Sequence, residues 1–78
     1  MVYSSIVTDT LGEIRTGVLA GNISMAKKVT RAELKNLKAE GDTHSLNLVN
    51  EMINSQDKDE MASLLEKAIK HRAAQGIL

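Results

Sequence analysis

Apolar side chains return every three to four residues along almost the whole chain, the spacing of one helix face. No run keeps the two-residue alternation of a half-buried strand. Four amphipathic segments result. The first is expected from about Tyr3 to Ala20. On a helical wheel Tyr3, Ile6, Val7, Leu11, Ile14 and Val18 fall within roughly 140° of arc and form a core-facing stripe. The second is expected from about Ser24 to Glu40, with Met25, Ala26, Val29, Leu34 and Leu37 turned inward. The third, from about Thr43 to Asn54, turns Leu46, Leu48, Val49, Met52 and Ile53 inward. The fourth opens at "DKDE" and repeats Met61, Leu64, Leu65, Ala68 and Ile69 at helical spacing.

The residues between these stripes carry stop and start signals. Ser4 or Ser5 can cap the first helix, Asn22 or Ser24 the second, and Asp42 or Thr43 the third. Asp57 and Glu60 have the spacing of an acidic capping box, and their charge suits the positive end of the fourth helix. Gly21 or Asn22, Gly41 and Gly76 stand where left-handed C-terminal residues belong, with Ile77 placed to fold back as the apolar contact of a Schellman motif. Gly12 lies inside the first helix, where a glycine costs ~1 kcal/mol relative to alanine. Lys70, His71 and Arg72 fall in the closing turns of the fourth, where cations are favoured.

Connections of about three residues make sequential helices antiparallel neighbours. The fold class is therefore all-α: a small four-helix bundle or open helical array, one domain over residues 1–78. The apolar stripes are broad for so small a domain. Self-association or a protein partner is expected to cover part of them.

Composition narrows function. The apolar content is nine Leu, six Ile, five Val and four Met with a single Tyr and no Phe or Trp, so the usual platform for stacking bases is missing. Formal charge is zero, which removes any global pull toward a polyanion. There is no cysteine, consistent with a reducing, cytoplasmic setting and excluding thiolate metal ligands. No basic segment leads into an apolar run at the start, and no stretch approaches the ~18 apolar residues of a membrane span.

Charge is uneven along the chain. Residues 26–41, "AKKVTRAELKNLKAEG", hold five of the ten basic residues. Lys27, Lys28, Arg31, Lys35 and Lys38 share about 100° of the second helix, opposite its apolar side and with no acid between them. Like charges at i, i+4 oppose the helix by a few tenths of a kcal/mol. Three readings stand: a solvated face, a face paired with the acidic segment 42–60 within the chain or across a dimer, and a rail for nucleic-acid phosphates.

Catalytic chemistry is sparse. His44 and His71 lie on different helices without the further ligands zinc requires. The serines have no base beside them and suit caps, and Asp57, Asp59 and Glu60 are explained as a helix start. Met25, Met52 and Met61 suit a core, or an adaptable apolar docking face. Gly17 and Gly21 have a close-packing spacing that, in a soluble helix, suggests a tight crossing or a frayed end. No phosphate-cradling glycine loop occurs. No catalytic, cofactor or metal residue is assigned.

"DKDEMASLLEKAIKHRAA" resembles a helix of GatB/YqeY-like domains, and "LAGNISMAKKVTRAELKNLKAEGD" is similar to that family's earlier helix pair. The likeness covers about half the chain and lacks the family's C-terminal bundle. It implies tRNA-related binding through Lys27, Lys28, Arg31 and Lys35. The primary expectation is a non-enzymatic protein-interaction or regulatory module (an adaptor, inhibitor or homo-oligomer) working through an aliphatic helix face. The alternative is a nucleic-acid binder using the basic stripe.

Overall fold

The computed structural model describes residues 3–76. Four helices form, as the periodicity dictates: α1 Ser5–Leu19, α2 Ile23–Ala39, α3 Thr43–Asn54 and α4 Lys58–Gln75. They fold into a small all-α four-helix bundle of 32 × 18 × 17 Å. α4 packs most extensively on α3 and α1, and α2 packs on the same two helices from the other side. The order around the bundle is thus α1, α2, α3, α4, with α2 and α4 on a diagonal.

Three-residue turns at 20–22, 40–42 and 55–57 impose this up-and-down path. The first two are built alike. Gly21 (φ 92°) and Gly41 (φ 74°) take the left-handed conformation. Asn22 N–H donates to Gly17 O at 2.9 Å, and Asp42 N–H to Leu37 O at 3.0 Å, the long bond of a Schellman motif. The Asp42 carboxylate then caps α3 by accepting from Ser45 N–H at 3.1 Å. Asp57 caps α4 through Asp59 N–H, but the reciprocal arm expected from Glu60 is absent. Ser55 Oγ accepts from Asp57 N–H instead, at 3.1 Å. The expected role of Ile77 lies outside the described residues.

The core is aliphatic. Leu11, Val18, Leu37, Val49, Met52, Met61, Leu65 and Ala68 are fully buried, and Val7, Ile14, Ala26 and Leu64 nearly so. Of the other expected core residues, Tyr3 is buried outside its helix and two are exposed. Tyr3 precedes α1, pinned by a hydrogen bond from its N–H to Gly76 O at 3.1 Å. Ile6 and Met25 are exposed, at 76% and 60%. Both lie at the edge of their helix's apolar arc, on the side where α1 and α2 face away from the core. α4 is the converse case: Arg72, expected only as a helix-end cation, is fully buried.

Candidate functional site

Two places combine polar chemistry with defined geometry. One is inside the bundle, the other on its surface.

The interior one is centred on Arg72. Met61, Leu65 and Ala68 mark the core face of α4, and Arg72 continues the same row. Its guanidinium therefore enters the end of the core, where the start of α1 and the α2–α3 turn converge. Nε donates to Thr8 Oγ1 at 2.7 Å, and Nη1 to Asp42 Oδ2 at 2.7 Å. Nη2 donates to Glu40 Oε2 at 2.8 Å and to Ser4 O at 3.1 Å. The second oxygen of Glu40 accepts from Ser4 N–H at 2.9 Å. Tyr3 covers the guanidinium, its ring centroid 4.7 Å from Cζ, a cation–π distance. His71 Nε2 lies 3.5 Å from Asp42 Oδ1, and the His71 and His44 ring centroids are 4.3 Å apart.

Burial by itself pushes the Asp42 carboxyl up. The Ser45 amide and the Arg72 guanidinium more than offset that and hold it below the usual carboxylate value. Ser45 bonds this carboxylate through its amide and not through its hydroxyl. The buried Ser45 hydroxyl finds no partner. Each guanidinium nitrogen and both carboxylates are already engaged within the chain. The cluster is a latch joining α4 to the two neighbouring chain segments.

The surface site lies on the outer side of α1 and α2. A shallow depression of about 160 Å3 runs between them, walled by Thr10, Glu13 and Gly17 on α1 and by Met25 and Val29 on α2. Gly17 is not a tight crossing point: a Cβ placed there would meet nothing within 4 Å. Its missing side chain opens the depression. Met25 also borders the adjoining surface formed by Lys28 and Arg31.

The basic stripe divides. Lys27 is half-buried and donates from Nζ to Ser55 O at 2.9 Å, tying α2 to the end of α3. Lys28, Arg31, Lys35 and Lys38 are exposed, and none makes an ion pair among the described residues. The same holds for Asp9 and Glu13, the exposed acids of α1. The acidic segment 42–60 gives its Asp42 to the interior latch and makes no ion pair with the stripe within the described chain.

Sequence reasoning located the stripe and missed the latch. The available signal was the spacing of Arg72, four residues beyond Ala68 on the apolar row. No family model, curated protein or solved structure matches this chain. The described residues contain no group of three or more His, Cys, Asp or Glu placed to hold a metal ion. None of their helices is long and apolar enough to cross a membrane.

Proposed function

We propose that this chain is a non-catalytic protein-interaction module of the cytoplasm that docks through the outer face of α1 and α2. The observation carrying this reading is the placement of its exposed large hydrophobics. Met25 lines the depression opened by Gly17 and Ile6 stands one turn before its Thr10 wall, whereas Leu19 lies round α1 on the side of Arg15, which pairs with Glu66 of α4. A folded domain gains nothing from such side chains in water, whereas a docked partner would remove them from it. The buried polar cluster supports the same reading, because its groups hold the helices together.

Site-specific photocrosslinking tests it. A benzophenone amino acid at Thr10 or Ala32, beside the depression, should give discrete crosslinked species in cells. The same probe at the exposed Ser63 of α4 should give none. Equal crosslinking from both faces, or none from the first, refutes the reading.

A second reading rests on the four free cations. Lys28 to Lys38 spans about 15 Å of helix at 1.5 Å per residue, a length that can follow a phosphate backbone. Binding by four contacts predicts a slope near −3.6 for log affinity against log salt on duplex DNA. Fluorescence anisotropy with labelled duplex and with tRNA measures it. A flat salt response, or affinity unchanged in Lys28→Glu/Arg31→Glu/Lys35→Glu, excludes it.

A further inference from the structure

The same α1–α2 face is self-complementary, and we infer that its occupant is a second copy of this chain, related by a twofold axis parallel to the helices. This deepens the docking reading and rests on it. The two helices are antiparallel about the 20–22 turn, so height on the face follows distance from that turn. At 1.5 Å per residue Glu13 lies roughly 12 Å below it and Asp9 roughly 18 Å. On the other helix Lys28 lies roughly 10 Å below, Arg31 roughly 15 Å and Lys35 roughly 21 Å.

An axis parallel to the helices lays α1 of one protomer over α2 of its partner at equal height. The acids of one α1 then interleave with the cations of the facing α2, twice by symmetry. The other in-plane axis would set α1 on α1 and α2 on α2, and like charge would face like charge at a cost. Steric form agrees with charge. Gly17 and Met25 are equally far from the turn, so each exposed Met25 side chain meets the partner's Gly17, where a side chain is missing and the space is open.

The size of the face sets the strength. Two helices each ~10 Å across, over ~22 Å of α1, present roughly 450 Å2 per protomer. The total of roughly 900 Å2 lies below the ~1,200 Å2 where stable interfaces begin, so the association is weak and reversible. Its charge pairs are rim-exposed and salt-sensitive.

Sedimentation equilibrium on the full chain at 50 and 500 mM NaCl tests this with two charge-reversed variants. One is Asp9→Lys/Glu13→Lys, the other Lys28→Glu/Arg31→Glu/Lys35→Glu. Wild type should dimerise at micromolar to submillimolar concentration in low salt, at least tenfold more weakly in high salt. Each variant alone should be monomeric, and their equimolar mixture should form a heterodimer. Glu51→Lys/Asp59→Lys changes net charge as the first variant does but off this face. It should dimerise as wild type does and should not pair with the acidic variant in this way. Circular dichroism confirms that each variant is folded.

Self-association by either reversed variant alone, a monomeric mixture, or heterodimer formation between the off-face control and the acidic variant overturns the inference. So does a wild type that is monomeric near 1 mM. In that last case, crosslinks from Thr10 to a different protein would show that the docking reading survives. Their absence as well would end both.

Discussion

Arg72→Met is the sharpest test of how the interior is held. The side chain is fully buried and donates to Thr8, Asp42, Glu40 and Ser4. Methionine fills a similar apolar path but leaves the fully buried Asp42 carboxylate without its cation. Removing one partner of a buried pair costs about 3–5 kcal/mol. A chain of this length has ~4–12 kcal/mol in total at ~0.05–0.15 per residue, so the variant sits near the edge of folding. Adding Asp42→Asn removes the stranded charge and keeps an oxygen for the Ser45 amide. The double variant should therefore be more stable than Arg72→Met alone, despite carrying one more lesion. Urea unfolding followed at 222 nm measures all four corners of the cycle. The deficit of Arg72→Met should also shrink in acid, where an unpaired buried carboxyl takes up a proton readily. Costs that simply add, or a single variant within ~1 kcal/mol of wild type, would refute the account of the latch.

Other perturbations separate local roles. Because Asp42 is held below its normal value, its contribution is present above roughly pH 4 and fades as pH falls through the lower folded value. Asp42→Asn should flatten that part of an acid-unfolding curve. Gly17→Ala should raise stability by up to ~1 kcal/mol, since the position is helical and open. Gly21→Ala should lower stability by ~1–2 kcal/mol because its φ is 92°; thermal melts report both signs. Lys27→Met should lose ~1 kcal/mol with its bond to Ser55 O. Lys35→Met, which has no such bond, should leave the urea midpoint almost unchanged.

How legible the fold was depended on what a helical wheel can see. The apolar rows led to four helices and most of the core, and α3 has the bounds expected for it. The wheel assumes that polar residues point outward, and here it fails five times, once at Ser45, whose amide bonds the capping Asp42. Thr8 and Thr30 are buried because their hydroxyls donate to the carbonyls of Ser4 and Ala26 one turn back, at 3.2 and 2.7 Å. Glu33 is buried, with Asn36 Nδ2 donating to its carboxylate at 2.7 Å. Arg72 is buried because residues far apart in the chain supply its acceptors. Two of these were written locally, in the fourth-residue spacing. The acceptors of Arg72 are 30 to 68 positions away and become visible only when the helices meet. The surface site was half legible: the cations stand on one face of α2, but the gap left by Gly17 and the outward turn of Met25 depend on how closely α1 and α2 approach.

The bond from Tyr3 N–H to Gly76 O brings the points where the backbone enters and leaves the bundle to within 3.1 Å of each other. Such a domain can be spliced into a surface loop of a host protein with scarcely any gap to bridge. By the same proximity, joining those two points with a short linker and opening the backbone between Ala20 and Asn22 should yield a permuted chain. That chain would wind the same four helices from a new starting place.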